Sequence, residues 1–140
     1  MVVSSDPDRL VEVRAFVRKA VADFGGSKRA SDDLVQAVDE ATCNVILHGY
    51  GSKAGEIEIE AALRDRSIEI KILDRAPLFD PTAMPDAGTA TLPRPTRPGG
   101  MGVGVHLLRT MVDAVHHSAR SDGGNELTLV RSIEDPAQED

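Results

Sequence analysis

The chain reads as an α+β protein, a two-layer α/β sandwich with helices packed on one face of a mostly antiparallel, mixed sheet. Three observations carry that expectation. Two segments with helical apolar spacing stand first, over residues 6–24 and about 31–48. Two strictly alternating runs follow back to back, Glu56–Glu60 and Ser67–Ile72, with Arg64–Arg66 between them. Helices and hairpin strands therefore fall in separate runs, not in the alternation a parallel sheet requires. At 140 residues the chain is one domain, 1–140, large enough for a proper core and too small for two.

Each element has its own justification. Asp6 and Pro7 make a helix start, a capping residue followed by proline in the first turn. Leu10, Val13, Val17, Ala20, Val21 and Phe24 mark one apolar face, and Gly25–Gly26 stops the helix. Val2–Val3–Ser4 before it reads equally as a short edge strand or a frayed end. A second helix is expected from Ser31–Asp32–Asp33 to about His48, ended by Gly49 and Gly51. The hairpin of Glu56–Glu60 and Ser67–Ile72 has one apolar and one charged face. Residues Pro77 to Gly100 hold six of the eight prolines and three glycines, which marks a long functional loop. Gly102 to Val115 returns to helical spacing through Val105, Leu108, Met111, Val112 and Val115. A third strand is expected at Glu126–Ile133, and residues 135–140 form an acidic tail.

Composition removes several function classes. The net charge of −7 and a pI near 5.0 argue against nucleic acid or an anionic membrane as partner. A single cysteine, Cys43, excludes an internal disulfide and a cysteine zinc cluster; amid apolar neighbours it reads as an inert thiol. Met1–Asp8 shows no leader pattern and no apolar run approaches a membrane span, so a cytoplasmic location is expected. His48, His106, His116 and His117 lack the four-residue pairing of a helical zinc site. No Gly-x-x-x-x-Gly-Lys-Ser/Thr run exists, which excludes a P-loop.

Three motifs remain. Glu40, Asn44 and His48 recur every four residues and stack on one helix face, with Gln36 a turn earlier. Beside a cavity, the Asn amide oxygen is a hard metal ligand and the Glu carboxylate a proton acceptor; otherwise the stripe is a solvated helix face. Asp74 ends the second strand of the hairpin, where it either presents a carboxylate to an exocyclic amine or caps the turn that follows. Glycines at 100, 102 and 104, before a helix, leave backbone N–H groups bare for an anion.

In this order the motifs resemble the N, G1 and G2 boxes of the GHKL ATPase superfamily, whose fold is the Bergerat type. The closer resemblance is to its small stand-alone branch, the anti-sigma factor serine/threonine kinases. It rests on Glu-Ala-x-x-Asn-x-x-x-His-Gly-Tyr at 40–50, Phe-Asp-Pro at 79–81, and Gly-Gly-Met-Gly with a following Leu-Leu-Arg at 99–109. The resemblance implies that Asn44 holds Mg²⁺ against the phosphates of ATP and that Glu40 is the general base. It implies adenine recognition by Asp74 and phosphate contacts from Gly100, Gly102 and Gly104. Residues 81–101 would be a lid, with Arg94 and Arg97 as phosphate contacts. The chain departs from the superfamily at Ala76 in the nucleotide-binding turn, where glycine is usual; a turn needing a glycine backbone angle would not tolerate it. The implied function is an anti-sigma factor that sequesters a sigma factor and phosphorylates an anti-anti-sigma (STAS-type) antagonist, as a homodimer. Arg14 and Arg18 of the first helix are candidates for sigma-factor contact. The alternative is a nucleotide-binding module that switches partners without phosphoryl transfer.

Overall fold

The computed structural model describes residues 1–51, 53–78 and 108–135. Strand β1 (Val2–Ser4) opens the chain, followed by a 3₁₀ turn at Pro7–Arg9 and helix α1 (Leu10–Asp23). Asp6 caps the turn, its carboxylate accepting from the Asp8 N–H at 2.9 Å. Helix α2 (Lys28–Asn44) follows, and its last turn widens to π geometry over Val45–Tyr50. Strands β2 (Glu56–Arg64) and β3 (Ser67–Asp74) form the expected hairpin. Residues 108–111 are helical, and β4 (Ala114–Ala119) and β5 (Asn125–Ser132) complete the described residues.

The sheet order is β1-β2-β3-β5-β4, and every pairing is antiparallel. The two-layer α+β expectation holds, without a parallel component among the described residues. Of the two readings left open for Val2–Ser4, the edge strand holds, paired with β2. Three details differ from the sequence expectation. Helix α2 starts three residues earlier, because Ser27 caps it by accepting from the Ala30 N–H at 2.9 Å. The third expected strand runs Asn125–Ser132, one residue earlier at each end. Residues Ala114–Ala119 form a strand, so Val115 belongs to the sheet and not to the helix of its apolar neighbours. Val115 lies opposite Leu129 in the β4–β5 ladder, and this long-range pairing overrides the local helical spacing.

One apolar layer lies between helices and sheet. Leu10, Val13, Val17 and Val21 of α1 are buried in it, as are Leu34, Val38 and Ala41 of α2. Ile57, Ile59, Ile68, Ile70 and Ile72 are fully buried from the sheet side. Helix α1 lies on β2 and helix α2 on β3 and β5. Truncating an isoleucine such as Ile70 to alanine in so dense a layer costs about 2–5 kcal/mol.

The period of two decides what reaches the helices from each strand. Ile68, Ile70, Ile72 and Asp74 share one face of β3, and Asn125, Leu127, Leu129 and Arg131 the matching face of β5. At one end of β5 the buried Arg131 pairs with Asp33 of α2 at 3.0 Å and donates to the Ser132 and Glu134 carbonyls. At the other end, polar Asp74 and Asn125 lie opposite each other where the apolar rows stop.

Candidate functional site

Asp74 is 2 % exposed although it carries a carboxylate, so its surroundings must compensate it. Its Oδ1 accepts from the Ala76 N–H at 2.9 Å and from the Asn125 Nδ2 at 2.9 Å. Asp74 therefore closes the turn to Ala76, the capping reading of the sequence, and it also lines a pocket. The pocket lies between α2 and the sheet, lined by Ala41, Asn44, Val45 and Gly49 from one side and Asp74, His117, Asn125 and Leu127 from the other. Leu108 contributes from the short helix.

The polar stripe of α2 sinks into the protein along its length. Gln36 is exposed, Glu40 half-buried, and Asn44 buried at 8 % exposure on the pocket wall. Glu40 stands one turn before Asn44 and is not among the residues lining that pocket. Burial, and then the charge of Asp39, push the Glu40 carboxyl above its usual range. His48 lies in the π turn with its Nε2 buried and without a hydrogen-bond partner among the described residues. Cys43 is half-buried and packs against the core, where burial pushes its thiol up.

The turn around Ala76 is built tightly. The Tyr50 hydroxyl donates to the Glu56 carbonyl at 2.6 Å and accepts from the Arg75 N–H at 2.8 Å, tying the π turn to β2 and to the end of β3. A side chain on Gly49 would come within 3.0 Å of the Ala76 Cβ, so the bare Gly49 makes room for it. Among the described non-glycine residues only Asp65 has a positive φ, so the Ala76 backbone is one that alanine adopts without strain.

Sequence reasoning passed over Asn125 and weighed His117 only as a zinc ligand. Asn125 donates to Asp74 and also to the Ala76 and Pro77 carbonyls at 3.4 and 3.2 Å. Its Oδ1 lies 2.9 Å from His117 Nε2. The available signal was phase: Asn125 stands two and four residues before the buried Leu127 and Leu129. Gly100, Gly102, Gly104, Arg94, Arg97 and the expected lid at 81–101 lie outside the described residues. Arg14 is bound to Asp39 of α2 at 2.8 Å, and Arg18 is exposed on the same helix.

No group of three or more His, Cys, Asp or Glu among the described residues could cage a metal ion. Asn44 nevertheless brings one hard oxygen donor to the pocket wall. That fits Mg²⁺, which keeps most of its waters and takes its remaining ligands from phosphates, with one or two protein oxygens. No described helix is long and apolar enough to cross a membrane.

Residues 3–131 match the family described as "Histidine kinase-like ATPase domain". An anti-sigma F factor of Clostridium beijerinckii is 28% identical over 138 residues, 87% of this chain and 87% of that protein. An anti-sigma F factor of Clostridium acetobutylicum is 37% identical over 67 residues, 45% of this chain and 47% of that protein. The serine-protein kinase RsbW of Oceanobacillus iheyensis is 33% identical over 81 residues, 57% of this chain and 51% of that protein.

Proposed function

The chain belongs to the histidine kinase-like ATPase domain family, and within it we propose an ATP-dependent serine/threonine protein kinase that also acts as an anti-sigma factor. Its substrate in this reading is a STAS-type anti-anti-sigma protein, and its other partner a sigma factor that it sequesters. The observation that carries the reading is convergence: Asn44 from α2 and Asp74 from β3 line one pocket, with Glu40 one turn from Asn44. The names of the relatives, an anti-sigma F factor and a serine-protein kinase, support the choice of partners and of reaction.

The chemistry follows from the residues. Asp74 accepts the adenine amine on its Oδ2, since its two side-chain hydrogen bonds among the described residues fall on Oδ1. Asn44 holds Mg²⁺, which when bound with the nucleotide neutralises phosphate charge. Glu40 accepts the proton of the attacking serine hydroxyl. The serine oxygen bonds to the γ-phosphorus, the bond to the bridging oxygen breaks, and ADP leaves. A carboxyl raised by burial is the better base near neutral pH, because its proton affinity lies closer to the working range. The chain works as a homodimer in this reading, and its acidic surface suits capture of a basic partner.

The test is direct. Incubate the protein with γ-labelled ATP, Mg²⁺ and a STAS-type antagonist, and follow label transfer to serine. Transfer that stops when Mg²⁺ is chelated is the expected result. Tight nucleotide and antagonist binding without transfer would overturn the kinase reading and leave a partner-switching module.

A further inference from the structure

The β4–β5 hairpin is built around Asp74, 51 residues from Asn125 in the chain. Three separate contacts from the hairpin hold the carboxylate and its backbone. The Arg120 Nη1 donates to the Asp74 carbonyl at 3.1 Å. Gly124, at φ +101°, lies so close that any Cβ there would overlap the same carbonyl oxygen. Asn125 grips the side chain itself through Oδ1.

The orientation of the Asn125 amide is dictated by its neighbours. Its Nδ2 faces three acceptors, the Asp74 carboxylate and the carbonyls of Ala76 and Pro77. A flipped amide would turn an oxygen toward all three, so the nitrogen must point there and the oxygen toward His117. That oxygen can only accept, so His117 Nε2 must carry a proton and donate to it across 2.9 Å. The core-facing phase of β4 puts His117 in this place; it lies opposite Leu127, while His116 points to the other face.

We propose that His117 and Asn125 are positioning residues that set adenine specificity: His117 locks the Asn125 amide, and Asn125 occupies Oδ1 of Asp74 so that Oδ2 alone faces the base. The proposal rests on the nucleotide-binding reading above. An oriented acceptor rewards the exocyclic amine of adenine and is opposed by the carbonyl oxygen that guanine carries at the same ring position, leaving two acceptors face to face. Without the lock, the carboxylate turns and the contrast between the two bases shrinks.

The test compares His117→Ala with His117→Gln, both on an edge strand where folding is least at risk, and reads ATP and GTP affinity by calorimetry. Wild type should prefer ATP. His117→Ala should lower the ATP-to-GTP preference by about tenfold, the worth of one ordered hydrogen bond. His117→Gln keeps a side-chain N–H donor and should restore most of that preference. Independently, long-range ¹H–¹⁵N spectra of the wild type, above the imidazole titration, should show His117 as the Nε2–H tautomer. An unchanged ATP-to-GTP ratio in a folded His117→Ala protein, or an Nδ1–H tautomer, would overturn the positioning role while leaving nucleotide binding intact. A wild type that binds neither nucleotide would instead overturn the reading on which the proposal rests.

Discussion

Replacing Asp74 by asparagine tests the pocket most sharply, because the structure dictates how the new amide must lie. The Oδ1 position faces two donors, the Ala76 N–H and the Asn125 amide, each at 2.9 Å. An amide nitrogen there would oppose both, so asparagine keeps its oxygen inward and turns its NH₂ toward the pocket. The internal bonds survive, weakened from charge-assisted to neutral at about 1 kcal/mol each. Against that, burying a neutral amide costs less than burying a carboxylate, so the net loss of stability should stay near 1–2 kcal/mol. The ligand side fares worse. An acceptor for the adenine amine becomes a donor facing a donor, and a charge-assisted hydrogen bond worth about 1.5–3 kcal/mol is lost. Affinity for Mg·ATP and for ADP should therefore fall by about ten- to a hundredfold or more in a protein that still unfolds cooperatively. Calorimetric titration with both nucleotides, beside thermal unfolding, measures both halves. Undiminished affinity in a folded Asp74→Asn protein would refute the assignment of Oδ2 to the base.

Asn44→Ala should abolish the Mg²⁺-dependent part of ATP binding and leave the fold intact; a titration in which Mg²⁺ still strengthens ATP binding equally removes Asn44 from the metal. Glu40→Gln should keep ATP and partner binding but slow single-turnover phosphorylation by about two to four orders of magnitude, and comparable rates would mean that Glu40 is not the base. Since burial and the Asp39 charge both favour its protonated form, transfer by the wild type should fall on acidification through a value above the ordinary carboxylate range. Asp39→Asn should move that acid limb to lower pH, and a limb that stays put would exclude Glu40 as its source. Gly124→Ala combines an unfavourable positive φ with overlap on the Asp74 carbonyl, so it should cost more than about 2 kcal/mol on denaturant unfolding. A variant as stable as wild type would mean that the hairpin does not clamp Asp74.

How much was legible can be seen element by element. Alternation through Ile68, Ile70 and Ile72 continues in phase to Asp74, so its place on the helix-facing side was written in the strand itself. The four-residue stripe likewise put Glu40 and Asn44 on one helix face. The strand at Ala114–Ala119 was hidden because Leu108, Met111, Val112 and Val115 also satisfy a helical period over so short a stretch. Only its ladder with β5 separates the two. The widening of α2 into a π turn at Val45–Tyr50 had no sequence signal that we can name.

The residues by themselves determined what depends on neighbours in the chain: helical and strand periods, caps, the two-layer class and the faces bearing Glu40, Asn44 and Asp74. The tertiary structure alone decided what depends on register between distant segments. It put Asn125 opposite Asp74, brought His117 behind it, seated Ala76 against Gly49 and buried one end of the α2 stripe while leaving the other in water. Periodicity is a property of local backbone geometry, repeated every few residues and so readable from them. The donor and acceptor pairs of a buried site are instead joined by strand pairing and helix packing across the chain, where desolvation forces each polar group to find a partner.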